Sequence, residues 1–337
     1  MSKNIIIYSN KSSYSAFPDI ERLHNEDLVV GFREAVRRSR ITHLDSTSKA
    51  VLVRSKDGGK TWDLKSKVIV YDDEYGVQDP SIVQLKDGTL IANFFKWEVI
   101  KEEPFGRKER GTFVVRSFDN GYTWEKEAIK VNVPNYSAVF TSDAILELPS
   151  GELLIPLYAR HPEKPQETDR ALVMRSRDKG KTWDEPTTIA YDPLGNVHFR
   201  EPQLVYLSSG KIICMMRVGK VEGYLYQSES LDNGYTWSIP KKTDMWGHPA
   251  HLLYLKDGRV FCSYGYRRPP YGIRACLSND EGKTWDLQNE IIIRNDGLHG
   301  DLGYPSSVEI EDKVILATYY FHSLEGVRFI EGSFLYL

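Results

Sequence analysis

The chain has 337 residues, which at ~150 residues per domain leaves room for two ordinary domains or one large closed β fold. Hydrophobic residues are 41% of the chain and glycine adds 25 positions, an ordinary globular composition that excludes a disordered chain. Lys and Arg number 44 against 47 Asp and Glu, a net charge of −3 that argues against nucleic acid or an anionic membrane as partner. No apolar run reaches the ~18 residues of a membrane span. The first apolar stretch, residues 5–8, is too short for the core of a signal peptide, so a cytoplasmic location is expected. Cys214, Cys262 and Cys276 are odd in number, lack a CxxC pair and make no disulfide framework.

Residues 5–8 read as a lone strand. The first inner strand begins near Phe17, and the second carries GFREA (residues 31–35) into a polar loop, VRRSRITHLDSTS (residues 36–48). The β-rich AVLVR (residues 50–54) then meets the first copy of a motif, SKDGGKTW (residues 55–62). The second period runs from Asp79 through SIVQLKDGTLIANFF to SFDNGYTW (residues 117–124). The third runs from Asp143 through AILELPSGELLIPLY to SRDKGKTW (residues 176–183). The fourth begins at Glu201, in REPQLVYLSSGKIICMMR, and ends at SLDNGYTW (residues 230–237). The fifth begins near His248 and ends at SNDEGKTW (residues 278–285). The sixth begins at Tyr304 and has three strands but no motif.

The motif Ser-x-Asp-x-Gly-x-Thr-Trp thus occurs five times, with aspartates at 57, 119, 178, 232 and 280. Its Asp accepts hydrogen bonds from the turn, its Gly supplies a positive φ, and its indole is large enough to wedge between sheets. The reading is a structural hairpin turn, since the acidic density of a calcium loop is lacking. Each period holds two hairpins, hence four strands, and no helical period intervenes. Four-stranded units repeated radially make a β-propeller. The expected fold is therefore all-β: one six-bladed propeller over residues 1–337, with residues 5–8 completing the last blade and removing its free edge.

Repeated Asp-boxes (BNR repeats) on six blades resemble the sialidase, or neuraminidase, superfamily over nearly the whole chain. The resemblance implies a retaining exo-glycosidase with three arginines gripping the substrate carboxylate, a Tyr nucleophile, a Glu beside it and an Asp acid/base. Glu201 and Arg217, 16 positions apart, resemble that Glu and the second arginine. Tyr304 in DLGYPSSV stands where the nucleophile would be, and Arg267 or Arg268 in GYRRP resembles the third arginine. The first blade departs from the family: where an aromatic-Arg-Ile-Pro motif is usual, this chain has Ser15-Ala16-Phe17-Pro18. Arg33 is the expected substitute for the arginine missing at Ala16. Asp45 matches the loop of the acid/base, with His43 a competitor two residues earlier.

The chemistry agrees with the residue types. Guanidinium groups take a planar carboxylate by paired N–H bonds. Tyrosine, with a free pKa of ~10, becomes a nucleophile when a carboxylate takes its proton, and suits a substrate whose own carboxylate would repel Asp or Glu. Asp79, Asp143, His248 and His251 open other inner strands and are expected to line the pocket. They could surround a divalent ion, but no close ligand spacing supports a metal, and no cofactor is expected. The expected partner is a small acidic sugar or oligosaccharide: sialic acid or a related 2-keto acid sugar. Two other readings are a propeller that binds an acidic carbohydrate without cleaving it, and a hydrolase or lyase acting on uronic-acid sugars.

Overall fold

The computed structural model describes residues 3–39, 43–100, 106–136, 138–160 and 168–337, and every regular element among them is a β-strand. The first blade is Ser13–Arg22, Leu28–Val36, Lys49–Ser55 and Asp63–Tyr71, paired in that order. The second (Gly76–Gln84 to Ile129–Val131), fourth (His198–Tyr206 to Lys241–Trp246) and fifth (Ala250–Tyr254 to Ile291–Gly297) repeat this antiparallel meander. In the third, the inner strand is broken into Ala138–Phe140 and Leu146–Glu147, both paired with Leu153–Arg160. The sixth consists of Gly303–Glu311, Val314–His322 and Arg328–Tyr336, with Lys3–Ser9 antiparallel to the last of these as its fourth strand. A single parallel bridge, Tyr14 to Arg328, joins the sixth blade to the first and merges them into one eight-stranded sheet.

Six blades in a ring make six interfaces, and the buried apolar residues fall into six clusters. Each cluster draws on two successive blades, including one between the sixth and the first. Second strands are covered on both faces: residues 28–35 are buried without interruption, the charged Arg33 and Glu34 included. Outer strands such as Asp63–Tyr71 face solvent and alternate only loosely.

The Asp-boxes are the turns between third and outer strands. In the first, Thr61 N and Ser55 Oγ donate to Asp57 Oδ1 at 2.9 and 2.8 Å, and Gly59 N donates to Ser55 Oγ at 2.9 Å. Gly59 takes a φ of 84°, which a residue with a Cβ rarely adopts. The same pattern recurs at Asp119, Asp178, Asp232 and Asp280. Each indole packs into the interface between its own blade and the preceding one: Trp62, Trp124, Trp183, Trp237 and Trp285 each join a different cluster. The cluster between blades five and six has no box tryptophan, because the sixth blade has no box.

Candidate active site

Four inner strands carry the same backbone device. At Phe17-Pro18, Asp79-Pro80, Glu201-Pro202 and Tyr304-Pro305 the pairing register slips, and the residue before proline has φ of 57, 44, 47 and 49°. Proline has no N–H for the ladder, so pairing breaks there, and the bulge re-aims the preceding side chain. Left-handed φ at a non-glycine residue costs about 1–3 kcal/mol, which the surrounding sheets must hold in place. Phe17, Asp79 and Tyr304 line an axial cavity of about 20 Å³, room for one water molecule, together with Asp19, Ser142, Asp143, His251 and Ser306.

Tyr304 Oη donates to Glu201 Oε1 at 2.8 Å, across two blades. Arg217 Nη1 donates to both Glu201 oxygens at 2.8 and 3.1 Å. Arg267 lies 5.4 Å from the Tyr304 ring centre, and its Nε donates to Leu302 O at 2.9 Å. Its Nη2 is buried with no partner. Arg268, by contrast, is exposed and donates to Tyr266 Oη. Arg33 is directly opposite Ala16 across the first hairpin, the register position that Arg217 holds opposite Arg200 in the fourth blade. Arg33 is 0% exposed; its Nε donates to Ser48 Oγ at 2.9 Å and its Nη2 to His43 O at 3.0 Å, while its buried Nη1 has no partner.

Burial sets the electrostatics. It pushes the Tyr304 phenol well above its usual range, with the charges of Glu201 and Asp79 adding and those of Arg217 and Arg267 opposing. The Asp79 carboxyl is likewise pushed well up, by burial and then Glu201, against Arg33, Arg217 and Arg267. Asp143 is raised by burial and Asp19. His248 is pressed down to about 2 by burial and the charges of Arg217 and Arg267, and His251 to about 4 by burial, so both are neutral imidazoles. The charges of Arg33, Arg217 and Arg267 thus all act on Asp79, whose carboxyl is biased toward the neutral acid, while Arg217 is paired with Glu201.

Asp45, expected as the acid/base, lies in the loop after the second strand of the first blade. Its carboxylate is committed to the loop: Arg38 Nε donates to it at 2.9 Å, and Thr47 N and Oγ1 at 2.9 and 2.7 Å. Burial raises its carboxyl, but these bonds outweigh that and hold it below its usual range. His43 instead meets Tyr14 Oη at 2.9 Å and Asp301 Oδ1 at 3.3 Å through Nε2, and its ring is edge-on to Phe17, which is edge-on to Tyr304. Among the described residues no group of three or more His, Cys, Asp or Glu is arranged to hold a metal ion.

The model of the BNR repeat-like domain matches residues 66–316. The chain belongs to the BNR repeat-like family. A protein of unknown function from Dyadobacter fermentans is 30% identical with a TM-score of 0.91, covering 100% of this chain and 99% of that one. The K499G mutant of the NanB sialidase of Streptococcus pneumoniae is 14% identical with a TM-score of 0.74, over 98% of this chain and 70% of that one. An α-L-arabinanase of Penicillium chrysogenum, complexed with arabinobiose, is 18% identical with a TM-score of 0.73, over 99% and 98%. At such identities the two enzymes share the fold. No curated protein matches.

In this BNR repeat-like propeller the sequence reading overlooked Tyr14, Tyr158, Asp301 and Arg328. Tyr158 is half-buried, and burial together with the charges of Glu201 and Asp79 raises its phenol. Asp301 accepts from Tyr14 Oη at 2.8 Å, Tyr320 Oη at 3.1 Å and Arg328 Nε at 2.9 Å. A local signal existed for Asp301, three residues before Tyr304; none existed for Tyr14 or Arg328, which meet it only when the ring closes.

Proposed function

We propose that the protein is a retaining exo-glycosidase that removes a terminal acidic sugar, sialic acid or a related 2-keto acid sugar, through Tyr304. The observation that carries this is the 2.8 Å Tyr304–Glu201 hydrogen bond, backed by Arg217, beside buried guanidinium nitrogens of Arg33 and Arg267 that have no partner. Burial keeps the free phenolate out of reach, so the Tyr304 proton passes to Glu201 as Oη attacks the anomeric carbon. Arg217 steadies the Glu201 carboxylate, and with Arg267 it supplies the positive field for the sugar carboxylate. Asp79, Asp143 and the neutral His248 would bind hydroxyl groups.

One observation favours a second reading. The first blade has no arginine at Ala16, and Arg33 opposite it is wholly enclosed. A carboxylate gripped chiefly by Arg217 and Arg267 would suit a differently placed acid group, as in a uronic-acid sugar, or binding without cleavage. The test is a panel of fluorogenic acidic and neutral glycosides, with and without chelator, read beside absorbance for unsaturated lyase products. Turnover of a 2-keto acid glycoside, abolished in Tyr304→Phe, is expected. Unsaturated product, turnover only of neutral sugars, or binding with no turnover would each sink the proposal.

A further inference from the structure

We propose that Arg268, held on a shelf of Trp246 and Tyr266, is a specificity residue that takes a carboxylate on the sugar next to the one removed. The preferred substrate is then a run of linked acidic sugars; this rests on the glycosidase reading above. Residues 267–270 are the turn after Val260–Tyr266, the second strand of the fifth blade. The two arginines of that turn part. Arg267 reaches the axis, 5.4 Å from the Tyr304 ring centre. Arg268 reaches Trp246, the last residue of the outer strand of the fourth blade.

The Arg268 guanidinium is fixed in place and still free to bind. It lies 4.4 Å from the Trp246 ring centre and 5.1 Å from that of Tyr266, and its Nε donates to Tyr266 Oη at 2.7 Å. The indole and phenol are edge-on to each other at 5.5 Å. Gly223 leaves room for the indole: a Cβ there would stand 3.2 Å from Trp246 Cε2 and 3.3 Å from His248 Nδ1. Arg268 is exposed, and among the described residues neither of its terminal nitrogens has a hydrogen-bond partner. Arg217, Arg259, Arg274 and Arg294 all have acidic partners. A guanidinium already ordered by two rings loses less freedom on binding, and its planar fork matches a carboxylate.

The shelf adjoins the axial site. The Trp246 ring is 5.9 Å from that of His248, and the charges of Arg217 and Arg267 both act on His248. Arg268 is one residue, ~3.8 Å of backbone, from Arg267. A terminal sugar held at Tyr304 by Arg217 and Arg267 leaves the rest of the substrate to emerge past the rim. Arg268 is the unpaired cation on the sector of that rim between the fourth and fifth blades.

Three substrates test this, each with a terminal sialic acid: a sialic acid dimer, sialyllactose and an aryl sialoside. They differ in the leaving unit, which is acidic only in the dimer. Arg268→Ala is expected to raise KM about 3- to 10-fold on the dimer with kcat held, and far less on the other two; the effect is modest because solvent screens an exposed pair. Equal changes on all three, or a fall in kcat alone, would overturn the assignment. Calorimetry with the dimer needs no turnover and separates this subsite from the glycosidase reading. A wild-type protein that cleaves none of the three sinks that reading. Arg268 would still be an anion subsite if Arg268→Ala weakens dimer binding, and would not be one if both proteins bind the dimer equally or not at all.

Discussion

Tyr304 and Glu201 meet because each precedes a proline at a bulge with positive φ, which turns both side chains from their sheets toward the axis. Their separate chemical tasks predict separate defects. Tyr304→Phe removes one oxygen and leaves the arginines, so kcat should fall by orders of magnitude while an acidic glycal still binds, as calorimetry would show. Arg267→Ala removes a guanidinium with an unpartnered nitrogen, so binding should weaken roughly 10- to 100-fold, the worth of one charge-assisted hydrogen bond at about 1.5–3 kcal/mol. A kcat collapse with unchanged binding in Arg267→Ala would mean that this residue does not hold the substrate.

The Asp-box is a turn that carries its own hydrogen bonds and a wedge, and it lies at the end of the third strand away from the inner-strand bulges. Trp124 packs in the interface of blades one and two, with its Nε1 donating to Gly121 O at 3.2 Å. Trp124→Ala should therefore cost roughly 2 kcal/mol or more of stability and leave the specific activity of the folded fraction near normal. A differential-scanning melt beside an assay decides this: an unchanged melting temperature with lost activity would overturn the structural role. Asp57, exposed at the surface, should show the same direction with a smaller shift.

Closure of the ring is where distant parts of the chain depend on one another. Lys3–Ser9 supplies the last strand of blade six, and Ile7 and Tyr8 pack against Leu316 and Phe334 in the cluster between blades six and one. A chain beginning at residue 10 should melt lower and self-associate at high concentration, because the strand Arg328–Tyr336 becomes a free edge; sizing by light scattering would reveal it. The pH response follows from carboxyls of two kinds. Box aspartates, despite some burial, are held below their usual range chiefly by bonds from their own Thr, so their contribution is present above the ordinary carboxylate value and lost as pH falls. Asp19, raised by burial to about 6, and Glu21, raised by burial and Asp19 to about 8, bind their protons more tightly when folded. Their contribution is therefore lost as pH rises from about 4 to about 8. The melting temperature should peak at about pH 4–5 by this balance, falling on both sides, and Glu21→Gln should flatten the alkaline side. A melting temperature that rises from about pH 5 to about pH 8 would contradict the assignment.

Local pattern alone determined the blade count and the boxes, because a turn with its own hydrogen bonds and a two-residue strand period are properties of adjacent residues. The inner-strand positions Asp79, Glu201 and Tyr304 were legible for the same reason: each stands before proline at the start of a β-rich run. The corner at Ala16 was legible as a departure, but that Arg33 lies directly opposite it is a matter of register across the hairpin. The hydrogen-bond partners of Asp45 and His43 were decided only by tertiary structure. Both lie in one polar loop, and what separates them is that Arg38 and Thr47 engage one, while Tyr14 and Asp301, 287 positions apart, engage the other. Contacts across the closing seam of a ring join the two ends of the chain, and no local pattern encodes which side chains will meet there.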